Sequence, residues 1–443
     1  MKKYKVHCFD INKKKKMEYY FIVFIVLLSI NTSLTSCETD EKSNLKIEEK
    51  IDISIWHIWA EDTETQKKTF EKTLDDYQKE NAKINFEVEA YENETYKNKI
   101  KTAIAVNEAP DIFFTWGAGF ARPFIRANSV MEMDNYLDEK TLEKLKIGSL
   151  DYFTYDDKIY GLPMYSWAAI LYCNKELFNK NNIKIPDTYN DLVKAVEEFN
   201  KKGIVAITAG EKERWPGVFF QNILAIRVAG IDKCNAVLKN KESFNQNEFI
   251  KSTDRLIELV KKKSFDKNII KLTKDEAEHE FKLGNVAMYY MGNWSVASWE
   301  AEDSPIKGKI VCKNFPSIYG ESGDQEAFLG GAIETFMISE RSSHKKESME
   351  AVKYISKNMS DNSNYIGYGI PAWKGSNDKS KLSPMNEQVY NLISDDTKFA
   401  LAWDTILEGG KADVYKNYVT KIFTEELSSA EFVESMEELI NKN

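Results

Sequence analysis

Histidine and cysteine are scarce in this chain, with four His and five Cys among 443 residues. The cysteines fall in no CxxC or Cys/His spacing of the kind a zinc site or a redox pair requires, so metal and thiol redox chemistry have no support. Reactive motifs are missing as well: there is no GxSxG elbow, no HExxH helix and no P-loop. The formal net charge is −9, and residues 1–36 hold seven Lys against only Asp10 and Glu18, so the remainder is more acidic still. This acidity argues against nucleic acid as a partner, because neutralising phosphates needs grouped Lys and Arg. The apolar stretch Phe21–Ile30 covers about 10 residues, too few for a helix to span roughly 30 Å of hydrocarbon. What is present is 42% hydrophobic and 12% aromatic residues, enough to bury a large core in two or three domains.

The N-terminus runs from the basic group Lys13, Lys14, Lys15 and Lys16 through that apolar stretch into Leu34-Thr35-Ser36-Cys37, the order of a bacterial export signal. LTSC resembles a lipobox. The resemblance implies that residues 1–36 are removed and that Cys37 becomes a lipid anchor. Residues 37–50, polar and rich in Glu and Lys, then read as a flexible tether. Cys173, Cys234 and Cys312 remain; with three, either one thiol stays unpaired or all are simply buried.

From residue 51 the periodicity is clear. Ile51, Ile53 and Ile55 alternate as a strand, and Phe70, Leu74 and Tyr77 recur at helical spacing. Ile84, Phe86 and Val88 alternate again, Tyr96, Ile100 and Ile104 mark a helix, and 111–115 is an apolar strand. This β-α-β-α-β order predicts a largely parallel sheet with helices on both faces. A second unit follows Tyr160-Gly161-Leu162-Pro163, with strands at 169–173, 204–208 and 286–291 and helices at 189–201, 217–229 and 248–262. Later strands are expected at 309–315 and 334–339, and a helix at 345–358. The fold class is α/β, in two lobes.

Six motifs in order carry a family resemblance: Ala109-Pro110-Asp111-Ile112-Phe113 leading to Trp116; Ile159-Tyr160-Gly161-Leu162-Pro163; Leu171-Tyr172-Cys173-Asn174-Lys175; Ile185-Pro186-Asp187-Thr188-Tyr189; Ala287-Met288-Tyr289-Tyr290-Met291-Gly292-Asn293-Trp294; and Phe328-Leu329-Gly330-Gly331. Together they resemble the extracellular solute-binding proteins of ABC importers, in the carbohydrate-binding class similar to maltose-binding protein. The resemblance implies a periplasmic-binding-protein-like fold, two α/β lobes joined by hinge strands with a ligand cleft between them. Hinges are expected near 160–163, 293–300 and 367–371. Lobe one is then 51–160 plus 300–367, and lobe two 161–299 plus 368–443. The implied protein is extracytoplasmic, lipid-anchored and monomeric, without a cofactor, and it passes a carbohydrate to permease subunits in the membrane.

A sugar ring offers an apolar C–H face and a fringe of hydroxyls, so its site needs flat aromatic platforms and groups that donate and accept in one plane. Ligands in open α/β sheets meet the carboxyl ends of strands, and several tryptophans fall there. His57 and Trp59 end the first strand and are either cleft or core residues. Glu61 and Asp62 nearby suit a helix N-terminus better than a sugar. Trp116 and Gly117 follow the third strand, where backbone can approach a ligand. Trp167 sits at the lip of lobe two, and Trp215 either lines the cleft or packs under the helix that Pro216 starts. Asn293 and Trp294 close a strand at the second hinge; the family resemblance puts the tryptophan against the ligand. Gly330 and Gly331 either let the chain pass a sugar or form a plain bulge. Trp373 resembles a family position facing the cleft, and Trp403 with Asp404 lies in a late loop. The alternatives to a receptor are a secreted glycoside-active enzyme, needing two carboxylates across the scissile bond, and a surface carbohydrate-binding adhesin. His57, the one imidazole near the expected cleft, reads as a hydrogen-bond partner, and the chain as a non-enzyme.

Overall fold

Alternation turns Ile53, Ile55 and His57 of the strand Ile51–His57 into a core and leaves Trp56 on the other face. The structure is a computed structural model that describes residues 50–442 except 63, 147, 376–378 and 394–396. The expected signal segment, residues 37–49 of the tether and the anchor Cys37 lie outside the described residues. The first sheet runs in the order Ile84–Ala90, Ile51–His57, Ile112–Trp116, Glu334–Ile338, Leu162–Pro163. Its first three strands are parallel, linked by the helices Thr65–Glu80 and Asn93–Ala105, as a βαβ crossover requires. Glu334–Ile338 returns antiparallel to both neighbours, so the sheet is mixed at that edge. The long helix Lys345–Ile366 closes this core with Met349, Val352, Ile355 and Met359.

The second sheet is built on Tyr165–Asn174, a ten-residue strand buried throughout except at Ser166, as befits a central strand covered on both faces. Phe328–Ala332 and Val286–Gly292 flank it, with Phe399–Ala400 and Val205–Thr208 outside them. The helix Pro216–Ala229 is predominantly apolar and buried at every residue but Ala229, so it fills the middle of this lobe. The amphipathic helices Asn247–Lys261 and Gly410–Phe423 cover it. Among the described residues no helix is long and apolar enough to cross a membrane.

The cores divide the chain differently from the sequence boundaries. Residues 300–332, expected in lobe one, belong to the second lobe: Ile310–Lys313 pairs with the far end of Tyr165–Asn174, and Ile306, Phe315 and Leu329 join the second core. The chain therefore does not cross at 293–300, where Val296 and Trp299 are buried in that same core. It crosses instead at Ile333, between two strands in different sheets. Tyr368 and Trp373 pack into the first core, while Ile370–Pro371 pairs with Tyr165 and Ser166, so the last return comes after Trp373. Cys173, Cys234 and Cys312 are all free and buried. Cys173 faces Val311 and Cys312 faces Tyr172 across one strand pair, which sends the two thiols to opposite faces of the sheet.

Candidate ligand-binding cavity

Both sheets end their strands on a shared cavity of about 680 Å³. Trp59 and Trp116 reach it from the first lobe; Trp167, Trp215 and Trp294 reach it from the second. On the second lobe the rings form one cluster. Trp167 stacks on Phe219 with centroids 5.2 Å apart and planes 12° apart, and Trp294 stands edge-on to Trp167 at 5.3 Å. Trp215 leans on Phe219 at 5.3 Å and faces Trp294 at 6.3 Å. Opposite them, Trp116 meets Phe120 edge-on at 5.1 Å, with the Lys97 ammonium 5.0 Å from its ring centre. Trp294 folds back over its own strand, and only Gly292 permits this: a Cβ there would stand 1.9 Å from the indole.

Exposure separates these rings into two groups. Trp59 and Trp167 are only 2% and 5% exposed, wedged against Phe70 and Phe114 in one case and Phe219 in the other. Trp116, Trp215 and Trp294 are half-buried and keep part of their rings open to the cavity.

Acceptors lie among the rings. Glu334 opens its strand at the junction of the lobes and takes hydrogen bonds from the Tyr165 hydroxyl and the Trp116 indole; burial pushes its carboxyl up to about 7. Glu213 accepts from Trp215 Nε1 at 3.1 Å, Glu64 accepts from the backbone N–H of Glu61 at 3.0 Å, and burial raises both. Asp404, also raised by burial, keeps Oδ1 buried without a partner among the described residues, as does Asn93. Lys274 and Lys416 line the cavity too, held by Glu278 at 3.1 Å and Asp413 at 3.0 Å.

Several expected site residues are elsewhere. His57 is 2% exposed and accepts the Trp59 backbone N–H on Nδ1 at 3.1 Å; burial drives its imidazole down to about 4, leaving it neutral packing. Gly117 makes its close approach to the Tyr152 carbonyl rather than to the cavity. Asn293 is buried and pins its turn to the central strand, accepting the Ala168 N–H on Oδ1 at 2.9 Å. Gly330, at φ +150°, lets its strand lie against Trp167, whose carbonyl oxygen would be 2.1 Å from a Cβ; Gly331 pairs beside it with Trp167. Trp373 is buried in the first core and donates Nε1 to Pro163 O and Ser356 Oγ, both at 2.9 Å. Trp403 is buried between Phe244, Phe249 and Tyr415. Conversely, Glu334, Glu213, Phe120 and Phe219 line the cavity and were not among the expected residues.

The chain matches the model of bacterial extracellular solute-binding proteins over residues 61–362. A protein solved in work on xylan utilization by the thermophilic bacterium Caldanaerobius polysaccharolyticus is 38% identical, with a TM-score of 0.85 over 88% of this chain and 100% of the other. A chitin oligosaccharide binding protein, 22% identical, superimposes with a TM-score of 0.80 over 88% and 98%. The multiple sugar-binding protein of Streptococcus mutans is 23% identical across 81% of this chain and 84% of its own length. A two-lobed α/β architecture with an aromatic cavity at the strand ends, matched over most of its length, makes this chain a member of the bacterial extracellular solute-binding protein family.

Proposed function

We propose that the protein captures an oligosaccharide between its lobes and delivers it to the membrane subunits of an ABC importer. The observation that carries this reading is the set of three partly open indole rings, one from the first lobe and two from the second, interleaved with carboxylates that accept hydrogen bonds. Stacking on C–H faces and acceptance from hydroxyls together match a saccharide, and a cavity of about 680 Å³ has room for more than one ring. The named sugar-binding relatives point the same way. Xylan-derived oligosaccharides are the first ligands to test, given the 38% identical neighbour.

The ligand bridges the lobes, so the closed form gains contacts that the open form lacks and binding shifts the population toward closure. Micromolar affinity, about −8 kcal/mol, suffices for capture. The protein itself performs no chemistry on the sugar. We further propose that it acts as a monomer outside the cytoplasm, held to the membrane by lipid on Cys37. A thermal-shift screen of the purified protein against xylo-, cello-, chito- and raffinose-type oligosaccharides tests the ligand class. Stabilisation by at least one series is expected; stabilisation only by peptides or polyamines contradicts it, and sugar hydrolysis products contradict the receptor role. Membrane fractionation of Cys37→Ala tests the anchor, with release into the soluble fraction expected.

A further inference from the structure

Four half-buried carboxylates on the cavity wall have no cation within ion-pair distance among the described residues: Glu64, Glu213, Glu334 and Asp404. Their partners are neutral donors, namely a backbone N–H for Glu64, the Trp215 indole and the Lys274 backbone N–H for Glu213, and Tyr165 with Trp116 for Glu334. Asp404 Oδ1 has none. The lining cations are mostly already engaged. Lys274 is bound to Asp275 at 2.7 Å and Glu278 at 3.1 Å, Lys416 to Asp413 at 3.0 Å, and Lys97 to Glu94 at 2.6 Å. Lys101 alone among these lysines has no ion pair in the described residues, and its ammonium lies 5.0 Å from the centre of the Phe120 ring.

The wall thus carries eight carboxylates against four lysines. A hydroxyl brings its own proton and satisfies such a wall directly. A carboxylate brings only acceptors, meets negative charge in a confined, poorly solvated space, and leaves Asp404 Oδ1 unpaired. We infer that the cavity selects uncharged saccharides and rejects those carrying a uronic acid, with Glu334 and Asp404 as the discriminating residues. This rests on the oligosaccharide reading and narrows it to one ligand class.

The test is isothermal titration of the purified protein at pH 7.5 with two panels of equal chain length. The neutral panel holds xylo-, cello-, chito- and raffinose-type oligosaccharides; the acidic panel holds glucuronoxylan, polygalacturonate and alginate fragments. The best neutral ligand is expected to bind at least about tenfold more tightly than its uronic-acid-bearing counterpart. Glu334→Gln and Asp404→Asn, which keep shape and remove charge, are each expected to narrow that ratio by about threefold. Equal or tighter binding of the acidic ligand overturns the inference alone, all the more if Lys101→Gln abolishes that binding. An unchanged ratio in both variants overturns the assignment of the two residues. Binding of neither panel overturns the saccharide reading and this inference with it.

Discussion

Trp215 and Trp294 keep part of their rings open to the cavity, whereas Trp373 and Trp403 are sealed in the cores of opposite lobes. Truncation should therefore act on different properties. Trp294→Ala is expected to weaken oligosaccharide binding by about 1–3 kcal/mol, read by calorimetry, with little change in melting temperature. Trp403→Ala removes a ring packed against Phe244, Phe249 and Tyr415 and should cost about 3–5 kcal/mol of stability in denaturant unfolding. Gly292→Ala tests the support of the site: the added methyl must push the Trp294 ring aside, so affinity should fall by about tenfold while the strand stays paired. At this scale the sequence spoke through position. Trp116, Trp215 and Trp294 lie just where a strand ends or a helix begins, and local periodicity finds those places. Trp373 and Trp403 occupy similar loop-like contexts, yet distant partners, Pro163 and Ser356 in one case and Asn222 with Tyr415 in the other, decide that they are core. Glu334 gave no signal because both faces of its strand are buried, so alternation does not single it out.

Between the helices Pro216–Ala229 and Gly410–Phe423, Glu211 acts as a buried clasp. It accepts the Gly217 N–H at 2.7 Å, at the positive end of the first helix, and the Thr420 hydroxyl at 2.9 Å on the second. Burial outweighs these bonds and the pull of Arg214 and Lys416, and raises its carboxyl from 4.5 to about 7. The folded state thus holds this proton more tightly than the unfolded chain does. Stability from this group is complete below about pH 4.5 and declines as pH rises through 7, by at most about 3 kcal/mol. Glu211→Gln can still accept from Gly217 and donate to Thr420, so it should lose that decline. Relative to wild type it is expected to gain stability between pH 5 and pH 8 in denaturant titrations; parallel pH profiles for the two proteins would contradict the account. Elements such as these were largely legible from sequence: the helix expected at 217–229 is Pro216–Ala229, and that expected at 189–201 is Tyr189–Lys201. Lobe membership was not. Residues 300–332 look like any other α/β segment, and it is the antiparallel pairing of Ile310–Lys313 and Phe328–Ala332 with the central strand, together with the burial of Ile306 and Phe315 in its core, that assigns them to the second lobe.

Across the whole molecule, the two lobes meet beside the cavity through the helix Ala118–Arg126 and the segment 403–408. Gly119 lies directly on the Ile406 carbonyl, where a Cβ would stand 2.1 Å from the oxygen. Arg122 and Arg126 both reach Glu408, at 2.9 and 2.6 Å. The two kinds of contact should differ in weight. Exposed ion pairs are worth up to about 1 kcal/mol, so Glu408→Ala should change affinity only slightly. Gly119→Ala props the lobes apart, and small-angle scattering should then show a larger radius of gyration with saturating ligand than wild type gives. Capture depends on open indole rings from both lobes gripping a saccharide, and one titration isolates that grip. The best oligosaccharide from the neutral panel is titrated calorimetrically into wild type and into the Trp116→Ala, Trp294→Ala double variant, which removes one open ring from each lobe. Micromolar binding by wild type and a loss of at least about 100-fold in the variant are predicted; equal affinity in the two proteins would contradict it.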